Sequence, residues 1–209
     1  MMNTIYLVRH GENPANILRE FSYRTVDYSL TSRGVEQARQ TAAFFRARPV
    51  DAIYSSPLKR ARETAEEIAA ALDLPITVLE ELREINVGDL EGQSTDENWV
   101  LHDAIVADWE RGNVERMFPG GENFTMLAAR AAASLRAVVA GRAGQRIAVV
   151  AHGGIMRAIA RGLCPPIDGP AAVSPACPNC SITEIVAGMQ DGALVAELRA
   201  WALCEHLGE

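Results

Sequence analysis

Two short apolar runs, each closing on a histidine and a glycine, constrain this chain more than any other feature. The first is the β-branched and aromatic stretch Thr4 to Val8, followed by Arg9-His10-Gly11. The second, Arg146 to Ala151, reads as a buried strand and runs into His152-Gly153-Gly154. The chain has four histidines, and two of them stand where a strand gives way to a glycine turn. In open α/β sheets, ligands gather beyond the carboxyl ends of the strands. A sheet containing both runs therefore brings two distant histidines to one site.

The rest of the sequence supplies such a sheet. Thr31 or Ser32 can cap a helix reaching about Ala47, with Val35, Ala38, Ala42 and Phe45 on its apolar face. Asp51 to Ser55 reads as a strand, and Pro57 suits the first turn of a helix running from Leu58 to Leu72. Ile76 to Leu79 is a third short strand. The less regular stretch 80–122 has helical spacing at its centre, around Trp99, Ile105 and Trp109. A longer alanine-rich helix is expected from Thr125 to Ala140, and another from Gly154 to Leu163. After a proline-rich loop, the strands Ser181–Val186 and Leu194–Ala202 are joined by Gln190-Asp191-Gly192. Alternating strands and helices predict an α/β three-layer sandwich. Its central sheet is mostly parallel, with an antiparallel strand at the edge and helices on both faces. No linker or repeat divides the 209 residues, so a single domain, 1–209, is expected, with a variable cap-like segment at about 93–119.

Composition narrows the function. Hydrophobic residues make up 48% and charged residues 22%, with a net charge of −7, ordinary for a globular protein. With no Lys/Arg run and few interleaved aromatics, nucleic acid is not an expected partner. No apolar window approaches the ~18 residues of a membrane helix, and the N-terminus lacks a signal-peptide pattern, so a cytoplasmic, membrane-free protein is expected. Cys177-Pro178-Asn179-Cys180 is formally half of a zinc site or a redox pair. No second such pair exists, and Cys180 opens a strand rather than a helix, so reduced thiols that pack as small hydrophobes are expected.

A neutral histidine at a strand end can be a metal ligand, a general base or a nucleophile. Arg9 directly beside His10 argues against a metal and for an anionic substrate. An arginine fork matches phosphate or carboxylate oxygens, and Gly11 would let backbone approach the anion. Arg60, near the start of a helix, adds a second cation, although Arg60 and Arg62 can also be read as a solvated helix face.

Leu7-Val8-Arg9-His10-Gly11-Glu12 with Asn16 resembles the Arg-His-Gly signature of the histidine phosphatase superfamily, the phosphoglycerate mutase-like group. Further similar blocks follow in order: Asp27 with Leu30-Thr31 and Gly34 to Ala38; Ser55 to Ala65; Leu82-Arg83-Glu84 with Gly88 and Glu91-Gly92; Pro119-Gly120-Gly121-Glu122; and Ala151 to Gly154. The resemblance implies that His10 accepts the phosphoryl group as phosphohistidine. It implies that Arg9, Arg60 and His152 hold the phosphoryl oxygens and that Asn16 completes the pocket. Glu84 would be the proton donor and then the base that activates water, with Glu81 as the competing assignment. Gly11, Arg24, Gly153 and Glu122 are further candidates for substrate binding, and Glu122 can instead cap the helix near Thr125. No metal and no cofactor are implied.

The resemblance leaves three functions: a phosphatase on a small phosphorylated metabolite such as a sugar phosphate or phosphoglycerate, a phosphoglycerate mutase-type isomerase, or an inactive interaction module. The matched catalytic positions are intact, which disfavours the last. Mutases of this kind carry a longer middle and tail, whereas here only about thirty residues separate Gly92 from Glu122. That favours hydrolysis. Arg19, Arg24, Arg111 and Arg116 in the variable pieces would suit a substrate with a second anionic group. A homodimer through an edge strand is compatible with the fold, with no residue pointing to it.

Overall fold

The computed structural model describes residues 1–164 and 176–208, so the proline-rich loop expected before Ser181 lies largely outside the described residues. Six strands form one sheet: β1 (Asn3–Arg9), β2 (Ala52–Ser55), β3 (Ile76–Val78), β4 (Arg146–Ala151), β5 (Ile182–Gln190) and β6 (Ala193–Leu203). Their order is β3-β2-β4-β1-β5-β6. β1 pairs parallel with β4, with Arg9 opposite Ala151, and antiparallel with β5. β2 pairs parallel with both β3 and β4. The sheet is thus mostly parallel with an antiparallel β5–β6 hairpin at one edge. Asp191 and Gly192 both take positive φ in its turn, the conformation a tight hairpin favours.

The central strands are apolar on both faces because helices cover both. Tyr6, Val8, Ala148 and Val150 point to one layer, where they meet Ala42 and Phe45 of α2 (Ser32–Ala47) and Ala61, Ala65 and Ile68 of α3 (Lys59–Leu72). Ile5, Leu7, Ile147 and Val149 point the other way. There they pack with α5 (Phe124–Val139), α6 (Gly153–Gly162) and residues of α4 (Asp96–Glu110). The short α1 (Pro14–Leu18) follows β1 directly and is closed by a capping box between Asn13 and Asn16.

Helix starts show where local sequence rules held. Thr31 caps α2 by accepting from Gly34 N at 3.0 Å. Pro57, however, lies before the N-cap Leu58 rather than in the first turn of α3. Leu58 has no capping oxygen, and Asp27, remote in sequence, accepts from Lys59 N at 2.8 Å in its place.

Candidate active site

The site forms where β1 and β4 end side by side. Their parallel register sets the His10 and His152 rings 5.1 Å apart, and both side chains are buried. The first turn of α3 brings Arg60, 2% exposed, against them: its Nε donates to His10 Nε2 at 3.1 Å. His10 Nδ1 lies 2.8 Å from the Gly11 carbonyl. An arginine nitrogen can only donate and a carbonyl can only accept, so the His10 proton resides on Nδ1 and the lone pair on Nε2. His152 Nε2 meets Ser56 Oγ at 2.7 Å.

Burial, reinforced by Arg60 and Arg9, holds the His10 imidazole well below its usual 6.5. Burial also depresses His152, aided by Arg60, His10 and Arg9. Both rings are therefore neutral at pH 7. Burial draws Arg60 down to about 10, against the opposing pull of Glu84, so it remains a cation. Three buried atoms in this cluster, Arg9 Nε, Arg60 Nη1 and His152 Nδ1, have no partner among the described residues. Buried polar atoms are rarely left unpaired in proteins. The two arginine nitrogens are donors beside the unprotonated Nε2 of His10, an arrangement suited to a tetrahedral oxyanion such as a phosphoryl group.

The cluster opens into a cavity of about 870 Å³ that Glu84, Asn16, Gly153 and Arg157 help to line. Glu84 accepts from the amides of Ile85, Gly154 and Ile155 at 2.9–3.2 Å, so its carboxylate sits on the N-terminus of α6. Among the described residues, no three His, Cys, Asp or Glu side chains are grouped as a metal would need.

The model of the histidine phosphatase superfamily (branch 1) matches residues 5–198. The chain belongs to that superfamily. A protein of Hydrogenobacter thermophilus, assigned by name as phosphoserine phosphatase 2, is 35% identical over 158 residues, covering 76% of this chain and 77% of its own. A Salmonella choleraesuis protein, assigned as the phosphoglycerate mutase GpmB, is 34% identical over 152 residues, or 73% and 70% of the two chains. Among solved structures, a mycobacterial glucosyl-3-phosphoglycerate phosphatase superposes with a TM-score of 0.78 at 24% identity, covering 96% of this chain and 99% of its own. That likeness establishes the shared fold.

In this histidine phosphatase the structure gathers Arg9, His10, Arg60, His152, Glu84, Asn16 and Gly153. Glu80 instead pairs with Arg83 on the surface, and neither Glu80 nor Glu81 lines the cavity. Arg62 pairs with Glu66 in solvent, as a helix-face residue. Three candidates sit elsewhere. Gly11 is buried against α2, where an added Cβ would lie 2.5 Å from the Gly34 carbonyl oxygen, so chain packing rather than an approaching anion requires glycine there. Arg24 is exposed outside the lining, its backbone amide held by Glu91. Glu122 is buried in an ion pair with Arg130 at 2.7 Å, and Asn123 caps α5 by accepting from Met126 N.

The arginines expected to hold a second anion are also elsewhere. Arg19 pairs with Asp96, and Arg111 and Arg116 both pair with Asp108. Asp108 and Arg111 are three apart at the end of a helix, a spacing that could have signalled the pairing.

Sequence reasoning missed the supports of the site. The Cys177 carbonyl accepts from Arg9 Nη1, and Asn179 Nδ2 donates to His10 O and Asn16 Oδ1, each at 3.0 Å. The Cys180 amide donates to the carbonyls of Arg9 and His10. Both cysteines are buried and unpaired, and burial pushes the Cys180 thiol up to about 12, far from a reactive thiolate. The segment thus acts as a brace for the end of β1. Glu91 is a second brace: its Oε1 accepts from the amides of Tyr23, Arg24, Thr25 and Val26. The loop this gathers presents the Ser22 carbonyl to Arg60 Nη2 at 3.0 Å.

Proposed function

We propose that this enzyme hydrolyses phosphomonoesters of small metabolites through a phosphohistidine at His10. The observation that carries the reading is the unprotonated Nε2 of His10, which accepts from Arg60 Nε, beside the unpartnered donors Arg9 Nε and Arg60 Nη1 and the unpartnered His152 Nδ1. His10 Nε2 attacks phosphorus in line, and the ester P–O bond breaks. The proton that the ester's phosphate monoanion brings in passes through Glu84 to the leaving alkoxide, and the new imidazolium keeps its Nδ1 proton on the Gly11 carbonyl. Glu84, now a carboxylate, takes a proton from water. The hydroxide attacks phosphorus, the N–P bond breaks, and inorganic phosphate leaves with His10 neutral again. The two arginines neutralise the charge that moves onto the phosphoryl oxygens and the neutral His152 helps to position them, so positioning and electrostatics supply most of the rate. Asn16 already accepts from Asn13 and Asn179 through Oδ1, which leaves its amide N–H groups for a substrate oxygen.

Four unpaired cysteines, three of them buried, support a reducing compartment such as the cytoplasm. No helix among the described residues is long and apolar enough to cross a membrane.

Purified protein should release phosphate from p-nitrophenyl phosphate in EDTA, and His10→Ala should abolish both turnover and acid-labile phosphoryl labelling. Label that persists on His10→Ala would show another nucleophile. The similarity to a protein assigned as a mutase supports a second reading, transfer back to a hydroxyl of the same molecule. Incubation with 3-phosphoglycerate and a trace of 2,3-bisphosphoglycerate separates the two: isomerisation without phosphate release means a mutase.

A further inference from the structure

We propose that the ester this site takes carries a planar, apolar body on its alcohol and no second anionic group. The inference rests on the phosphomonoesterase reading and concerns the far end of the same cavity. That end is built from α4 and the loop after α1. Phe21 stacks on Trp99 with ring centroids 4.2 Å apart and planes inclined by 29°, and both rings line the cavity with His102, Trp109 and Phe124. The polar atoms of the two indoles are already engaged. Trp99 Nε1 donates to the Arg19 carbonyl at 2.7 Å and Trp109 Nε1 to the Arg116 carbonyl at 2.6 Å. Phe21 and Trp109 are buried, and Arg19 lies over Trp99 with its Cζ 5.2 Å from the ring centroid. The ring surface left to a ligand is the open part of Trp99, His102 and Phe124, which rewards a flat apolar partner over a hydroxylated one.

Charge on the same walls points the same way. Beyond the reacting cluster, the described lining contributes the acids Glu20, Asp103 and Glu110, and the cations Arg157 and Arg161. Arg161 is paired with Glu110. Arg157 lies towards the phosphoryl end, where its charge bears on Arg9. Arg19, over the Trp99 ring, is paired with Asp96, so Glu20 and Asp103 leave the rim around the rings acidic. A carboxylate or second phosphate at that rim, away from Arg157, would face like charge. A cavity of about 870 Å³ is also large for a three-carbon ester, since pockets of a few hundred to about 1,000 Å³ take drug-sized ligands.

The test compares kcat/KM of the full-length protein for four alkyl phosphates: ethyl phosphate, naphthylethyl phosphate, phosphoserine and 3-phosphoglycerate. We expect the naphthylethyl ester to exceed ethyl phosphate by about ten- to a hundredfold, as burial of a ring would give. Both carboxylate-bearing esters should fall below it. Trp99→Ala should shrink the naphthylethyl-to-ethyl ratio. Asp103→Lys, at an exposed position where folding is not at stake, should raise 3-phosphoglycerate relative to the ring ester. Phosphoserine or 3-phosphoglycerate equalling the ring ester in wild type would overturn the proposal.

Binding of the same esters to His10→Ala protein, followed by tryptophan fluorescence, separates this inference from the reaction it rests on. Tighter binding of the ring ester without turnover in wild type would support the pocket reading and remove the phosphatase reading. Equal or weaker binding would sink the pocket reading whatever the turnover.

Discussion

Two neutral histidines buried in one site make stability fall as the solution is acidified above the carboxylate range. His10 and His152 have folded pKa values held well below 6.5, chiefly by burial. Below 6.5 the unfolded chain binds a proton at each and the native state does not, so stability rises with pH and is lost as pH falls. From pH 7.5 to 5.5 the unfolded-state term for one such histidine changes by about RT ln 10, or about 1.4 kcal/mol. The pair therefore costs about 2.7 kcal/mol over that interval, a large share of the 5–15 kcal/mol typical of a domain. Half-buried His206 is also depressed and adds a smaller loss of the same sign. Glu91 and Asp108, whose carboxyls are held low, lose their contribution only in more acidic solution. Urea melts at pH 7.5, 6.5 and 5.5 read the effect, in phosphate-free buffers because an anion bound to the native state would mask it. The double variant His10→Asn, His152→Asn should retain only the slope due to His206. A wild-type loss below about 0.5 kcal/mol, or the same loss in the double variant, would refute the assignment of both rings as buried and neutral.

Three further perturbations test the supports. Arg130 donates to the carbonyls of Glu81, Arg83 and Glu84 at 2.7–3.0 Å and pairs with Glu122, so Arg130→Met strands a buried carboxylate. It should cost about 3–5 kcal/mol in urea melts and slow esters with poor leaving groups more than p-nitrophenyl phosphate; equal slowing would separate Arg130 from the placement of Glu84. Glu91→Gln exchanges charge-assisted bonds to four amides for weaker ones, at about 1–3 kcal/mol. Hydrogen exchange should accelerate at Tyr23 to Val26, and unchanged protection there would refute the loop's dependence on that carboxylate. Gly11→Ala forces a Cβ to 2.5 Å from backbone at Gly34 and should lower stability by about 1–3 kcal/mol in thermal melts.

The reacting end was legible because its placement follows from rules that operate locally. A parallel strand buried on both faces reads as an unbroken apolar run, and Leu7-Val8 and Val149-Val150 are such runs. Once two of them pair, His10 and His152 have little choice of position. The braces were hidden for a physical reason. Cys177 contributes a carbonyl and Cys180 an amide, and backbone groups leave no trace in residue type. Glu91 gathers four amides from a loop remote in sequence, and the acidic run around it reads equally well as solvated surface. The exposed arginines misled because a guanidinium that binds substrate and one that neutralises a neighbouring aspartate look alike until their partners are known. Asp108 claims two of them.

The two ends of the cavity are therefore under different constraints. Arg9, His10 and His152 stand at the ends of adjacent central strands, and Arg60 is fixed against them by α3. A shift in any of these elements disturbs the sheet, the two-face packing and the anion cluster together. The far wall comes largely from α4, whose buried Ile105 and Trp109 anchor it while Trp99 and His102 stay partly exposed to the cavity. Substitutions on that exposed side change ring surface and rim charge without touching the strand ends. Recognition of the alcohol is thus separable from phosphoryl transfer, so exchanges at Trp99 or Asp103 should redistribute kcat/KM among esters while the phosphorylated intermediate still forms at His10.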